Sequence, residues 1–193
     1  YKIMIWLIYK KEMKSFFRNP LGHIITGLFC LIVGWMFLHQ LDYFVTTVQK
    51  LPLHMRNQYD FTNQVIIKLF NNINFLFLFI TPVLTMKIFS EEFRERTIEL
   101  YHSSPITDYQ IVLGKYFSLL SQGIYLLLMT LIYPFMLGNI DVTDLSFLFV
   151  GYFGLILNLA SFLALGLLAS SLSGNQVLSA LSGFVFILLI WII

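Results

Sequence analysis

Leu21-GHIITGLFCLIVGWMFLHQ-Leu41 contains no Asp, Glu, Lys or Arg. About 20 consecutive apolar residues suffice for a helix to cross the hydrocarbon core of a bilayer, and residues 21–41 supply them. Residues 69–90, 109–137, 147–171 and 177–193 form comparable runs. Pro82 lies inside the second; membrane helices tolerate proline, and it is expected to kink this one. Composition points the same way. Charged residues make up 11% of the 193 positions and hydrophobic ones 58%, whereas ordinary soluble domains carry about 25% charged residues. A soluble fold could not cover its surface with so little polar material. The expected fold class is therefore all-α, a polytopic helical membrane protein. The formal net charge of +2 gives no reason to expect nucleic acid as a partner. Cys30, the single cysteine, lies in an apolar run and reads as a small buried residue.

Upstream of the first span, residues 3–17 read IMIWLIYKKEMKSFF. At about 100° per residue, Ile5, Trp6, Tyr9, Met13, Phe16 and Phe17 gather on one side of a helix, and Lys10, Lys11, Lys14 and Ser15 on the other. Three lysines and Glu12 are expensive at membrane depth. The segment 3–18 is therefore expected to lie in the headgroup plane as an interfacial helix in contact with lipid, with Trp6, Lys10, Lys11 and Lys14 as its anchoring residues. Asn19-Pro20-Leu21-Gly22 should break it and turn the chain into the first span. Residues 42–68 are polar enough to read as a loop, holding Asp42, Lys50, Pro52, Arg56, Asp60 and Lys68.

Between the second and third spans the composition changes sharply. Glu91, Glu92, Arg94, Glu95, Arg96 and Glu99 fall within nine positions. Glu92–Arg96 is an i,i+4 pair, and Glu91–Arg94 and Arg96–Glu99 are i,i+3 pairs, each supporting an exposed helix by about 0.2–0.5 kcal/mol. Two roles remain open for this segment on physical grounds: a solvated connector, or a docking surface on which mixed charge sets register. Thr107 with Gln110 then forms a capping box at the start of the third span. Lys and Arg accumulate on one side: Lys2, Lys10, Lys11, Lys14 and Arg18 at the N-terminus, and Lys87, Arg94, Arg96 and Lys115 around the charged segment. The other side holds Lys50, Arg56 and Lys68. Both the N-terminus and the charged segment are thus expected to be cytoplasmic.

No catalytic constellation emerges. His23, His39, His54 and His102 form no ligand pair at helical spacing. Gly114-Lys115 is not a phosphate loop, because Tyr109 stands five positions before the glycine and no Ser or Thr follows the lysine. The expectation is a non-enzyme with no cofactor on this chain. The spans also lack the central acids and bases that serve ion-coupled carriers as relays. Any transport would draw its energy from another chain.

The order of these segments resembles the ABC-2 type transporter permeases. The carrying residues are Tyr9-KKEMKSFFRNPLG-His23, Thr81-PVLTMKIFSEE-Phe93, Glu91-Glu92, Arg96-Thr97-Ile98-Glu99, Ser104-Pro105, Gly114-Lys115 and Ser171-LSGNQ-Val177. They look most like the branch associated with gliding motility and copper-enzyme maturation. The resemblance implies one transmembrane domain over residues 1–193, with six spans of which five are visible, so further residues are expected beyond Ile193. It implies a second permease chain, identical or related, and a cytoplasmic ATPase that binds ATP and Mg. It identifies segment 91–106 as a coupling helix, with Glu91, Glu92, Arg94, Glu95, Arg96, Thr97, Glu99 and Leu100 as ATPase-coupling residues. Arg96 stands where the family often has Gly, which implies a more continuous helix or altered docking there. The expected location is the cytoplasmic (inner) membrane. The alternative expectation is a non-transporting scaffold of the same type that anchors or energises a motility or envelope machine.

Overall fold

The computed structural model describes residues 2–50, 61–95, 106–136 and 145–192. Among them all regular structure is helical. Helix α1 covers Lys2–Arg18 and α2 covers Pro20–Lys50. The break between them follows from local chemistry. Asn19 accepts the Leu21 N–H on Oδ1 at 3.1 Å, and Pro20 occupies the first position of α2, where its missing N–H costs nothing.

Helix α2 runs on to Lys50, past the end expected at residue 41. Its 31 residues span about 46 Å, against about 30 Å of hydrocarbon. Asp42 and Lys50 therefore sit on a helical extension rather than in a loop, because charge marks the edge of the lipid and not the end of a helix. The next described segment also begins helically. A single π-turn at Thr62–Ile66, closed by the Ile67 N–H on the Thr62 carbonyl, leads into α3, Ile67–Thr85. The rest of the expected loop between these helices, residues 51–60, lies outside the described residues.

Pro82 sits inside α3, which stays helical through it. The helix breaks later, over residues 86–89, before a short α4 at Ser90–Arg94. Proline disturbs the turn before it, so Pro82 does not account for this break. Ser170 does, by competing for the backbone: its Oγ accepts the N–H groups of Phe89 at 3.0 Å and Ser90 at 3.3 Å. After α4 come α5 (Asp108–Thr130), a short α6 (Ile132–Met136), α7 (Leu145–Ser171) and α8 (Gln176–Ile192). The start of α5 carries the expected capping box of Thr107 and Gln110, with the Thr107 N–H donating to Gln110 Oε1 at 3.2 Å.

Among the described residues, four helical runs are long and apolar enough to cross a membrane: Pro20–Lys50, Gln64–Arg94, Asp108–Met136 and Leu145–Ser171; α8 is a shorter apolar helix. The chain is an all-α polytopic membrane protein. Helix α7 packs against α3, α5 and α8, and α2 closes over α3 and α5. Phe29 of α2 stacks on Phe77 of α3 with ring centroids 5.9 Å apart, and both are fully buried. Polar side chains within the spans find partners across the helices. Asn158 donates to Asn74, Tyr152 and Thr130 share a hydrogen bond at 3.2 Å, and Tyr116 donates to the Ala160 carbonyl at 3.1 Å. Each is worth roughly 0.6 kcal/mol or somewhat more in a membrane helix pair.

Close approach of α3 and α7 depends on Gly166. A Cβ there would lie against the Thr85 side chain, 2.8 Å from Cγ2 and 3.0 Å from Cβ. Thr85 cannot rotate away, being β-branched and bonded through Oγ1 to the Thr81 carbonyl at 3.0 Å. Gly27 of α2 would place its Cβ in open space. Gly166→Ala is expected to destabilise the bundle by about 1–3 kcal/mol, read as a lowered Tm in detergent, whereas Gly27→Ala should leave the Tm essentially unchanged.

Candidate functional site

The charged segment meets the membrane bundle at Lys115. This residue follows Gly114 on α5 and is only 1% exposed. A buried ammonium needs partners on every side. Lys115 Nζ donates to the Ile88 carbonyl at 2.6 Å, a group made available by the break at 86–89. It lies 2.8 Å from Glu92 Oε2 of α4 and 3.8 Å from Glu12 Oε1 of α1. The Phe89 ring covers it, its centroid 4.8 Å from Nζ. Lys11 completes the cluster from the solvent side, 3.6 Å from Glu92 Oε1 and 3.9 Å from Glu12 Oε1.

Three helices are thereby tied at one point. The seat for α1 is provided by the residue before the lysine. A Cβ on Gly114 would come within 2.9 Å of Ile8 Cβ and 3.1 Å of the Ile5 carbonyl, so only glycine lets α1 lie this close to α5. Ile8 is buried in that contact. Ile8 and Glu12 occupy the same face of α1, one turn apart, so the apolar contact and the ion pair form together.

Burial raises the Glu12 pKa above its ordinary value. Desolvation is the dominant cause; Lys115 and Lys11 oppose it, and the neighbouring Glu92 and Glu91 add to it. The cluster is not a catalytic arrangement. It has no nucleophile set against a base, and its geometry is that of a mechanical joint.

The expected site residues divide into three groups. Glu92, read from its spacing as part of an exposed face, is instead buried and turned towards Lys115. Glu91, Arg94 and Glu95 remain at the surface, with Arg94 3.9 Å from Glu91 and 3.7 Å from Glu95. Arg96, Thr97, Glu99 and Leu100 lie outside the described residues, as do the expected Glu92–Arg96 and Arg96–Glu99 pairs. On α1, Lys10 and Lys14 are exposed, and Trp6 is exposed and stacks on Tyr9 at 5.2 Å. Lys11 is exposed but belongs to the buried cluster through its ammonium. Sequence reasoning missed Glu12 and Lys115 as functional residues. For Lys115 the available signal was its cost, an ionisable group in an apolar neighbourhood that requires a partner; Glu12, set among lysines, gave none.

Residues 6–193 match the family model of the ABC-2 family transporter proteins. The chain belongs to this family. No curated protein and no solved structure matches it. ABC-2 membership makes the chain a multi-pass permease component, a membrane subunit that works with a partner ATPase rather than an enzyme in its own right. The match also covers the whole Glu12–Glu92–Lys115 cluster, so the joint is built within the ABC-2 domain itself.

Removing one member of a buried ion pair strands the other, at a typical cost of about 3–5 kcal/mol. Lys115→Met is expected to be strongly destabilising in this ABC-2 chain, and Glu92→Gln in the same background should recover part of the loss. A double-mutant cycle on thermal unfolding in detergent should give a coupling of about 1–3 kcal/mol; additive effects would mean the two side chains do not interact. Glu12 provides a pH test. Its folded pKa lies above the unfolded one, so folding takes up a proton between those values, and the contribution of the neutral acid is lost as pH rises through the raised pKa. Glu12→Gln stays neutral. Its stability relative to the parent chain is expected to rise with pH across that window and to be constant below it.

Proposed function

We propose that this chain is the permease subunit through which ATP hydrolysis on a separate, Mg-dependent ATPase moves a substrate across the cytoplasmic membrane, with its N-terminus on the cytoplasmic side. The observation that carries the reading is the division of labour within one turn of charged helix. Glu91, Arg94 and Glu95 point outward, where a soluble partner can reach them, while Glu92 is bound to α5 and α1 through Lys115. A push on the outward side chains cannot be absorbed locally. It passes to the third span through Lys115 and to the interfacial helix through Glu12.

In this reading the segment 91–106 is the coupling element, and Arg96, Thr97, Glu99 and Leu100 extend the same docking surface. Closure of the ATPase dimer moves this element and tilts the attached spans as a rigid body, in a hinge or rocking motion. A second permease chain completes the pathway. The quoted sequence motifs favour the branch associated with gliding motility and copper-enzyme maturation.

Charge reversal on the outward side tests the docking surface without touching the buried joint. Glu91→Lys with Glu95→Lys is expected to lower recovery of the ATPase with the affinity-purified permease by roughly tenfold or more, since facing like charges cost several kcal/mol at an interface. Undiminished recovery would overturn the assignment of this surface. If an ATPase is retained but its turnover never responds to substrate, the complex is the scaffold type instead.

A further inference from the structure

The C-terminal half of α1 carries a shallow, open recess of about 470 Å³ lined by the exposed residues Lys11, Lys14, Ser15, Arg18 and Asn19. We infer that this recess binds the phosphodiester of an anionic phospholipid, as a built site on the interfacial helix. The spacing i, i+3, i+7 places Lys11, Lys14 and Arg18 on one helical face, with Ser15 between them. Every lining side chain supplies hydrogen-bond donors. Asn19 Oδ1 is engaged by the Leu21 N–H at 3.1 Å, so Asn19 offers the recess its amide NH2. Lys11 faces Glu92 and Glu12 as well, but no carboxylate lines the recess. Three cations and two neutral donors without a lining acid match a phosphate monoanion.

The surroundings select a lipid over a soluble anion. The recess shares Lys11, Ser15 and Asn19 with a larger groove of about 770 Å³ between α1, the start of α2 and the end of α3. Phe16, Leu21, Ile25, Val83 and Leu84 give that groove an apolar wall, and Glu12, Glu91, Glu92 and Glu95 line another part of it. A phosphate held by Lys14 and Arg18 would thus have its acyl chains beside apolar surface. Exposed Trp6 and Phe17 on the same helix fit a position at the headgroup boundary. The site shares Lys11 with the ion-pair cluster but does not depend on the coupling reading.

The test uses the purified full chain in nanodiscs of phosphatidylcholine doped with spin-labelled phosphatidylglycerol, where the protein-bound lipid fraction is read by electron paramagnetic resonance. The parent chain is expected to prefer phosphatidylglycerol over labelled phosphatidylcholine. Lys14→Gln with Arg18→Gln should lower that preference about fivefold for each cation removed. Lys50→Gln removes the same charge from the far end of α2, outside the recess, and should leave the preference nearly intact. Equal losses per charge at all three positions would overturn the built site in favour of diffuse surface attraction. Saturable binding of inorganic phosphate to the chain in pure phosphatidylcholine discs, abolished by Lys14→Gln with Arg18→Gln, would overturn the lipid assignment. Unchanged helical circular dichroism in the variants excludes misfolding as the cause of any loss.

Discussion

A buried lysine ammonium at the end of a membrane span is the constraint on which this architecture depends. Lys115 has neither water nor lipid headgroup to solvate it. Its partners must come from protein, and they come from three separate elements: the Ile88 carbonyl and Glu92 after α3, Glu12 from α1, and the Phe89 ring. Satisfying one cation therefore fixes where α1 lies, where α3 stops, and how α4 is turned. Gly114 and Ser170 are the local means to that end. Gly114 removes the Cβ that would hold α1 away, and Ser170 takes the N–H groups that would otherwise continue α3.

Much of this fold is legible from residues read in order, because its strongest signals are local. Apolar run length locates the spans, the lysine stripe locates α1, and Asn19-Pro20 marks the corner between α1 and α2. The reading fails where a local signal has two physical meanings. Charged and polar residues at 42–50 were read as loop, but they mark exit from the hydrocarbon, and α2 continues through them to Lys50. Sequence points to Pro82 as a kink within α3, whereas the break at 86–89 is set by a hydroxyl about eighty residues away in the chain.

Glu92 is the clearest case for the site. Its neighbours at helical spacing suggested an exposed ion pair with Arg96. The partner the fold provides is Lys115, which the same reading placed only as part of a Gly-Lys motif and a charge count. No periodicity connects the two positions, since their proximity is created by the break after α3 and the packing of α5. Cost, however, was visible. Lys115 sits in an apolar stretch, where an ionised group must be paired or neutral, whereas Glu12 lies among Lys10, Lys11 and Lys14 and carries no such signal. Asking which acid answers which base across the chain would have narrowed the joint to a few combinations.

The balance of the cluster also bears on how movement could pass through it. Two lysines and two glutamates make it formally neutral, and Glu12 is the member whose proton affinity is raised by burial. A neutral, largely desolvated cluster resists being pulled apart, because separating Lys115 from Glu92 would leave both uncompensated. It tolerates being moved as a unit, since no partner is lost. A contact of that kind transmits displacement between α4, α5 and α1 without itself changing state. Its proper complement is a surface that can be pushed, and the outward side chains of the same short helix, Glu91 and Arg94, form one.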